Sequence, residues 1–201
     1  MARIEQRAAT RAHILEAAQR LYARTGICST RSADVAAEAG VAHGTVFLHF
    51  PTQEELLVSA IEAFGLRVAE RLHELASKGS GLQSVLEAHV RGLAEHEAFY
   101  ARLVEESPAL PDGARAALVM IQSTLSHHFE QAAEADRAAG RIRDLPLHLV
   151  FNTWVALLHH YLVNRELFAP GGSVLERRGT ELIDFFISLI GVGAEGRGER
   201  E

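Results

Sequence analysis

Apolar residues recur at intervals of three and four along nearly the whole chain, and no run alternates with the period of two that a strand requires. The pattern therefore predicts an all-α fold of about nine helices. A first helix is expected to start at Thr10 as N-cap, to bury Ile14, Ala18, Leu21 and Tyr22, and to end at Thr25-Gly26. Two short helices follow, over 32–39 and 42–50, with Gly40 between them to supply the left-handed turn. Pro51 stops the second, and Thr52 with Glu55 reads as a capping box for a long helix that buries Leu56, Leu57, Ala60, Ile61, Phe64, Val68 and Leu72. That helix runs to about residue 76, ends at Lys78-Gly79-Ser80-Gly81, and spans nearly 40 Å at about 1.5 Å per residue. Further helices are expected over 82–95, 97–106, 112–139, 146–168 and 174–192, broken by Pro108 and Pro111, by Ala139-Gly140 and by Pro170-Gly171-Gly172. The glycine-rich, charged tail 193–201 is expected to be disordered.

Two short helices joined at a glycine make a helix-turn-helix, in which Val35, Ala36 and Val46 can fill the angle between the helices. The second helix of such a unit presents its outer face to a major groove. Here that face carries His43, Gly44, Thr45, Phe47, Leu48 and His49, a set suited to base edges and phosphates. Ser29 and Thr30 are expected to cap the first short helix, with Arg31 in its first turn, where a cation opposes the helix dipole. Arg31 then either meets an anion such as a DNA phosphate or points to solvent. Arg3, Arg7 and Arg11 would share one face of a helical extension, either as a phosphate-contacting edge or as a solvated terminus.

The run AEAGVAHGTVFLHFPTQEELL over 37–57 resembles the pattern A-x-x-A-G-V-S-x-G-T-L-Y-x-H-F-x-x-K-E-x-L of tetracycline-repressor-type (TetR) regulators. The resemblance covers roughly residues 10 to 57; beyond it, only length and helical layout agree. It implies a DNA-binding head over 1–51, a helical effector-binding and dimerisation domain over 52–192, double-stranded operator DNA and a small-molecule effector as partners, and repression as the sense of regulation. The residues expected at DNA are Arg31, His43, Gly44, Thr45, Phe47, His49 and Gln53, with Thr45 and His49 at base edges or nearby phosphates and Arg31, His43, Phe47 and Gln53 in support. Phe47 stands where the family usually has tyrosine and Gln53 where lysine is common, so two phosphate contacts typical of the family are altered here.

Charge sharpens the division. The 201-residue chain carries a net charge of −6, yet residues 1–50 hold six arginines against four acids while the remainder holds fourteen basic against twenty-two acidic groups. The half with the motif is the positive one. No apolar run approaches the roughly 18 residues of a membrane span, no apolar signal core opens the chain, and the single Cys28 cannot form an internal disulfide, so a cytoplasmic protein is expected, with Cys28 as a small packing residue.

The helices over 146–168 and 174–192 have wide apolar surfaces, with Val150, Phe151, Trp154, Leu158, Tyr161 and Leu162 on the first and Leu182, Ile183, Phe186, Leu189 and Ile190 on the second. Pairing with a second copy would make a four-helix homodimer interface, which is also how the resembled family dimerises. Gln122 and His128 lie on or beside an apolar stripe of the helix from Asp112, and polar groups there either meet partners or face a cavity. With His89, Phe99, Tyr100, Ile121, Leu125 and Trp154 they form the expected effector lining, to which Glu95-His96 and Asn152 could add. The pairs His127-His128 and His159-His160 cannot chelate a metal within one helix, because neighbours point about 100° apart. No catalytic motif or cofactor signature is present, which leaves a helical ligand- or metal-binding sensor with weak or no operator binding as the alternative.

Overall fold

Ten α-helices and one 3-10 turn, and no β-strand, make up the described residues 2–76 and 81–192 of the computed structural model. The expected break at Lys78-Gly79-Ser80 and the tail 193–201 lie outside the described residues. The helices are α1 (Ala2–Thr25), α2 (Ser32–Glu38), α3 (His43–His49), α4 (Gln53–Ala76), α5 (Leu82–Ala94), α6 (Glu97–Glu106), α7 (Asp112–Ala138), α8 (Leu147–Val163), α9 (Arg165–Phe168) and α10 (Val174–Ile190), with the 3-10 turn at Ser107–Ala109. They form two compact units, Met1–Arg67 with His96–Ile121, and Val68–Glu95 with Gln122–Glu201. Helices α4 and α7 each contribute residues to both.

In the first unit α1 starts well before Thr10. That residue is therefore an interior position and not the expected N-cap: its hydroxyl donates back to the Gln6 carbonyl at 2.9 Å. Helix α2 is likewise not capped by Ser29 or Thr30, whose hydroxyls donate to the Thr25 and Gly26 carbonyls at the end of α1. Arg31 takes the N-cap position in extended conformation, and the Asp34 carboxylate accepts its N–H at 3.0 Å. At the other end Gly40 has φ +64°; its N–H meets the Ala37 carbonyl at 3.1 Å and that of Val41 meets Ala36 at 3.0 Å, the paired bonds of a Schellman motif. Val35, Ala36 and Val46 are buried between α2 and α3, and the Thr52 hydroxyl accepts from the Glu55 N–H at 3.0 Å as α4 begins.

Neither seven-residue helix could stand alone, because isolated helices shorter than about 12–15 residues are marginal in water. The rest of the unit braces them. His13 bonds the Ala39 carbonyl at 2.9 Å, Arg24 pairs with Glu38 at 2.7 Å, and the Gln53 amide donates to the Thr30 carbonyl at 2.7 Å. Behind this, Phe64 of α4 packs edge-on to Phe99 at 5.7 Å and stacks on Tyr100 at 5.6 Å, both from α6. Gln19 donates to the Ala60 carbonyl at 2.7 Å and accepts from Arg67, whose Nε reaches His96 Nε2 at 3.0 Å. The Glu106 carboxylate, at the end of α6, accepts from both the Ile27 and the Cys28 N–H, at 3.0 and 2.8 Å. Cys28 itself is exposed, so it is not the packing residue expected of it; its turn is fixed through the backbone.

The core of the second unit gathers around Trp154, which is fully buried and lies 5.2 Å from Phe186, while Phe129 lies 5.4 Å from Phe151. Helix α10 packs against α5 and α8, and Val90 approaches Gly179 so closely that an added Cβ would sit 2.6 Å from it. Buried Asp136 accepts from the Leu82 N–H at 2.9 Å and pairs with Arg141 at 2.6 Å. The helix expected over 146–168 is two helices, since Asn164 ends α8 and its amide caps the His160 carbonyl at 2.8 Å before α9 begins. The apolar stripe expected to face a second copy is largely turned inward. Val150, Phe151, Trp154, Leu158 and Leu162 are buried within the unit, and the exposed apolar groups on these helices are Leu149, Val163, Phe185 and Leu189.

Removing the Glu106 clamp leaves two backbone donors of the turn before α2 without their acceptor. Glu106→Ala is expected to lower unfolding stability by about 1–3 kcal/mol, with Glu106→Gln in between. Burial alone would raise the carboxyl pKa, but the Cys28 and Ile27 donors and Arg102 outweigh it and hold it below the usual value, so the contribution is present above that usual value and fades as pH falls through the folded one. Urea unfolding of the three proteins checks this; equal midpoints would remove the clamp from the account.

Candidate nucleic-acid interface

Helix α3 holds its unit through one buried side chain, Val46, and turns the others outward. His43 and Gly44 are exposed, Thr45 is half-buried, Phe47 is 44 % exposed and Leu48 70 % exposed. The exposure of two large apolar groups side by side on a short helix is unusual for a face meant only for water. His43 is positioned by a 3.1 Å bond to the Ser32 hydroxyl and by an edge contact with the Phe47 ring, centroids 4.7 Å apart. No atom lies within 4 Å of where a Cβ on Gly44 would point, so packing inside the chain does not require glycine there. A small residue on an outward face permits close approach by something outside the chain.

Arg31 is exposed at the start of α2 and has no ion pair among the described residues. Gln53 is exposed at the start of α4, with its amide nitrogen bonded to Thr30, so this side chain links α4 to α2 as well as reaching the surface. His49 ends α3 half-buried beside Phe50, ring centroids 6.2 Å apart. Burial, and then the positive charges of Arg7 and Arg11, hold its pKa below the usual imidazole value. The Arg11 guanidinium lies 4.9 Å from the Phe50 ring centre and donates to the Ser59 hydroxyl at 3.0 Å. Arg11, His49, Phe50, Thr52, Glu54, Glu55, Val58 and Ser59 line one groove. Sequence reasoning left Arg7 and Arg11 undecided between solvent and phosphate; their four-residue spacing was the available signal.

The eight residues expected to line an effector cavity divide between the two units. In the first, Phe99 and Tyr100 are buried against Phe64, and the Ile121 side chain lies where a Cβ on Gly65 would come within 2.5 Å. In the second, Trp154 Nε1 donates to His89 Nδ1 at 3.2 Å and Leu125 is buried, while Gln122 and His128 are half-buried on α7. His89 thus meets a partner in the core, and Asn152 is exposed instead of lining an interior space. His127 and His128 have ring centroids 5.9 Å apart, and no group of three or more His, Cys, Asp or Glu among the described residues could hold a metal ion. No helix among the described residues is long and apolar enough to cross a membrane.

Residues 14–60 match the family model described as bacterial regulatory proteins, tetR family. The chain is 36 % identical over 83 residues to the HTH-type transcriptional repressor Rv3405c of Mycobacterium tuberculosis, covering 41 % of this chain and 44 % of that one. It is 37 % identical over 59 residues to the HTH-type transcriptional regulator TtgR of Pseudomonas putida, 29 % of this chain and 28 % of that one. The chain thus spans less than half the length of the curated relatives it matches first. Among solved structures, a TetR-family regulator from Rhodococcus sp. superposes with a TM-score of 0.77 at 23 % identity, covering 90 % of this chain and 98 % of that one. A transcriptional regulator from Saccharomonospora viridis in complex with choline gives 0.77 at 20 % identity, covering 92 % and 100 %. At these identities the structures establish the shared fold.

The His89–Trp154 pair ties stability to pH. Burial, with a smaller contribution from His159, pushes His89 down from 6.5 to about 3, so its ring is neutral when folded and takes up a proton when unfolded. Its contribution is full above 6.5 and is lost as pH falls toward the folded value, with a limiting slope of about 1.4 kcal/mol per pH unit for one proton. Unfolding stability is expected to drop from pH 6.5 to 5, and His89→Gln, which retains an acceptor for Trp154, to flatten that drop. A wild-type profile that is level over this interval, measured by urea unfolding, would show that the buried imidazole is not held neutral.

Proposed function

We propose that the chain, whose residues 14–60 match the tetR family of bacterial regulatory proteins, is a ligand-responsive DNA-binding transcriptional regulator of that family, a repressor released from its operator by a small apolar or amphipathic molecule. The observation that carries this reading is the outer face of α3. Thr45, with Phe47 and Leu48 exposed beside it and an unfilled position at Gly44, offers hydrogen-bonding and apolar groups of the kinds that read base edges and thymine methyls in a major groove, and His49 at the end of the helix meets base edges or nearby phosphates. Arg31, His43 and Gln53 flank that face and support it at the DNA backbone. In this reading residues 1–51 are the DNA-binding head and 52–192 the effector-binding and dimerisation part, in a cytoplasmic protein.

Two copies are needed, because a helix-turn-helix reads half-sites about 34 Å apart, or a multiple of that, from the two subunits of a dimer. Leu149 and Val163 of α8 and Phe185 and Leu189 of α10 are the exposed apolar groups offered to the second copy. Effector binding is assigned to residues 52–192, where Gln122 and His128 stand half-buried beside an apolar stripe of α7. The solved choline complex shows that a neighbour of the same fold takes a small molecule. Release follows if the effector binds the DNA-free state better than the bound one, and a difference of about 1–3 kcal/mol is the usual scale of such coupling.

Three measurements test the proposal. The protein should bind DNA upstream of its own coding region in a salt-dependent way, and Thr45→Ala should weaken that binding by about 1–3 kcal/mol if Thr45 makes a base contact. Unchanged affinity would remove Thr45 from the reading surface. Light scattering at micromolar concentration should give a dimer, and a monomer would count against the α8 and α10 surface. Effector titrated into free and DNA-bound protein should bind the free form more tightly; equal affinities would sink the coupling, and absence of any DNA binding would favour a helical sensor.

A further inference from the structure

The arginines of α1 fall into two groups that differ in how their charge is neutralised. Arg20 and Arg24, near its end, share the Glu38 carboxylate at 3.6 and 2.7 Å. Arg7 and Arg11, two and more turns earlier, have no ion pair among the described residues. Arg11 is instead held in place by neutral groups, the Ser59 hydroxyl and the Phe50 ring, which fix its position while leaving its charge uncompensated. His49, the last residue of α3, lies next to that ring and within the field of both guanidinium groups. Arg11 and His49, from two helices, line one groove at the edge of the outward face, Arg7 lies one turn before Arg11 on the same face of α1, and no carboxylate is ion-paired with either arginine among the described residues. Glu54 and Glu55 of α4 line the same groove but form no ion pair with Arg7 or Arg11, and the charges that act on His49 are the two arginines.

Resting on the DNA-binding reading above, we infer that Arg7, Arg11 and His49 form one phosphate site at the edge of the interface, and that a DNA backbone phosphate seated there draws a proton from solvent onto the His49 imidazole. In the free protein half-burial, and then the positive charges of Arg7 and Arg11, make protonation of His49 unfavourable. A phosphate reverses the balance. Its charge offsets Arg7 and Arg11 and gives the imidazolium N–H an anionic acceptor. The imidazole pKa is therefore higher in the complex than in the free protein, and DNA binding takes up a proton at pH values between the two. Affinity rises as pH falls through the value in the complex and levels off below the value in the free protein. The arrangement makes the head's grip on DNA respond to pH independently of any effector.

The test uses the full chain and a labelled duplex of mixed sequence, about 30 base pairs long so that it spans both recognition helices of a dimer. Because the contact is to phosphate, the operator need not be known. Binding is followed by fluorescence anisotropy from pH 5.5 to 8 at fixed ionic strength. The wild type is expected to bind more tightly toward low pH, by at most about tenfold per pH unit for each His49 engaged. His49→Gln should still bind but lose most of that slope, and the double variant Arg7→Gln, Arg11→Gln should bind more weakly with a smaller slope. In the free protein the same double variant should raise the pH at which the His49 ring protons titrate by NMR, a change that loss of a purely structural role would not produce. Equal slopes for the wild type and His49→Gln, with both binding, would overturn this inference and leave the DNA-binding reading intact. Failure of the wild type to bind any duplex in a salt-dependent way would overturn the DNA-binding reading and this inference with it.

Discussion

The face that α3 turns outward depends on holding in place two seven-residue helices that have almost no core of their own. Val35, Ala36 and Val46 fill the angle between them, and little else is buried on either. A surface helix that leaves most of its face exposed is not secured by packing. The chain resolves this with polar ties from better-packed elements: His13 to the Ala39 carbonyl, Arg24 to Glu38, Gln53 to the Thr30 carbonyl and Glu106 to the turn at Ile27 and Cys28. Each tie ends on backbone or on a residue at the rim of α2, so α3 is left clear.

The helices themselves were legible in the sequence because their apolar period is strong and their breakers sit where the backbone turns. Val68 and Leu72 continue the stripe that starts at Leu56, and Gly40 marks the one position where a left-handed residue closes α2. Helix starts were read less well. Thr10, Ser29 and Thr30 all have the composition of caps, yet their hydroxyls donate backward to carbonyls of a preceding turn, an alternative the same side chains always have. Asn164 ends α8 by capping the His160 carbonyl, and a lone Asn with no Gly or Pro beside it is a weaker stop signal than the Pro170-Gly171-Gly172 run that follows.

The candidate sites divide along a similar line. Which residues of α3 face outward could be read from the position of Val46 alone, since one buried residue fixes the rotation of so short a helix. The polar residues further along could not be sorted this way. His89 and His128 both lie beside apolar stripes, but His89 finds Trp154, sixty-five residues away, and is a satisfied core group. A bond of that separation leaves no mark in local sequence. The same holds for Glu106, seventy-nine and seventy-eight residues from the two amides it holds.

Net charge is a poor guide to what a surface offers, and the first unit shows why. Six arginines against four acids over the first fifty residues suggest only a mild positive excess. In the folded unit the excess is not shared out. Glu38 is spent on Arg20 and Arg24, and Asp34 on the backbone of Arg31, so the acids of the motif region are committed to structure. Arg7, Arg11 and Arg31 form no ion pair among the described residues, and all three are exposed. Pairing converts a small numerical excess into a local one, at the edge of the face that α3 presents. An acidic protein can therefore carry unpaired basic groups at one edge of a surface without any basic stretch in its sequence, because what an approaching polyanion meets is the charge left over after the fold has formed its own ion pairs.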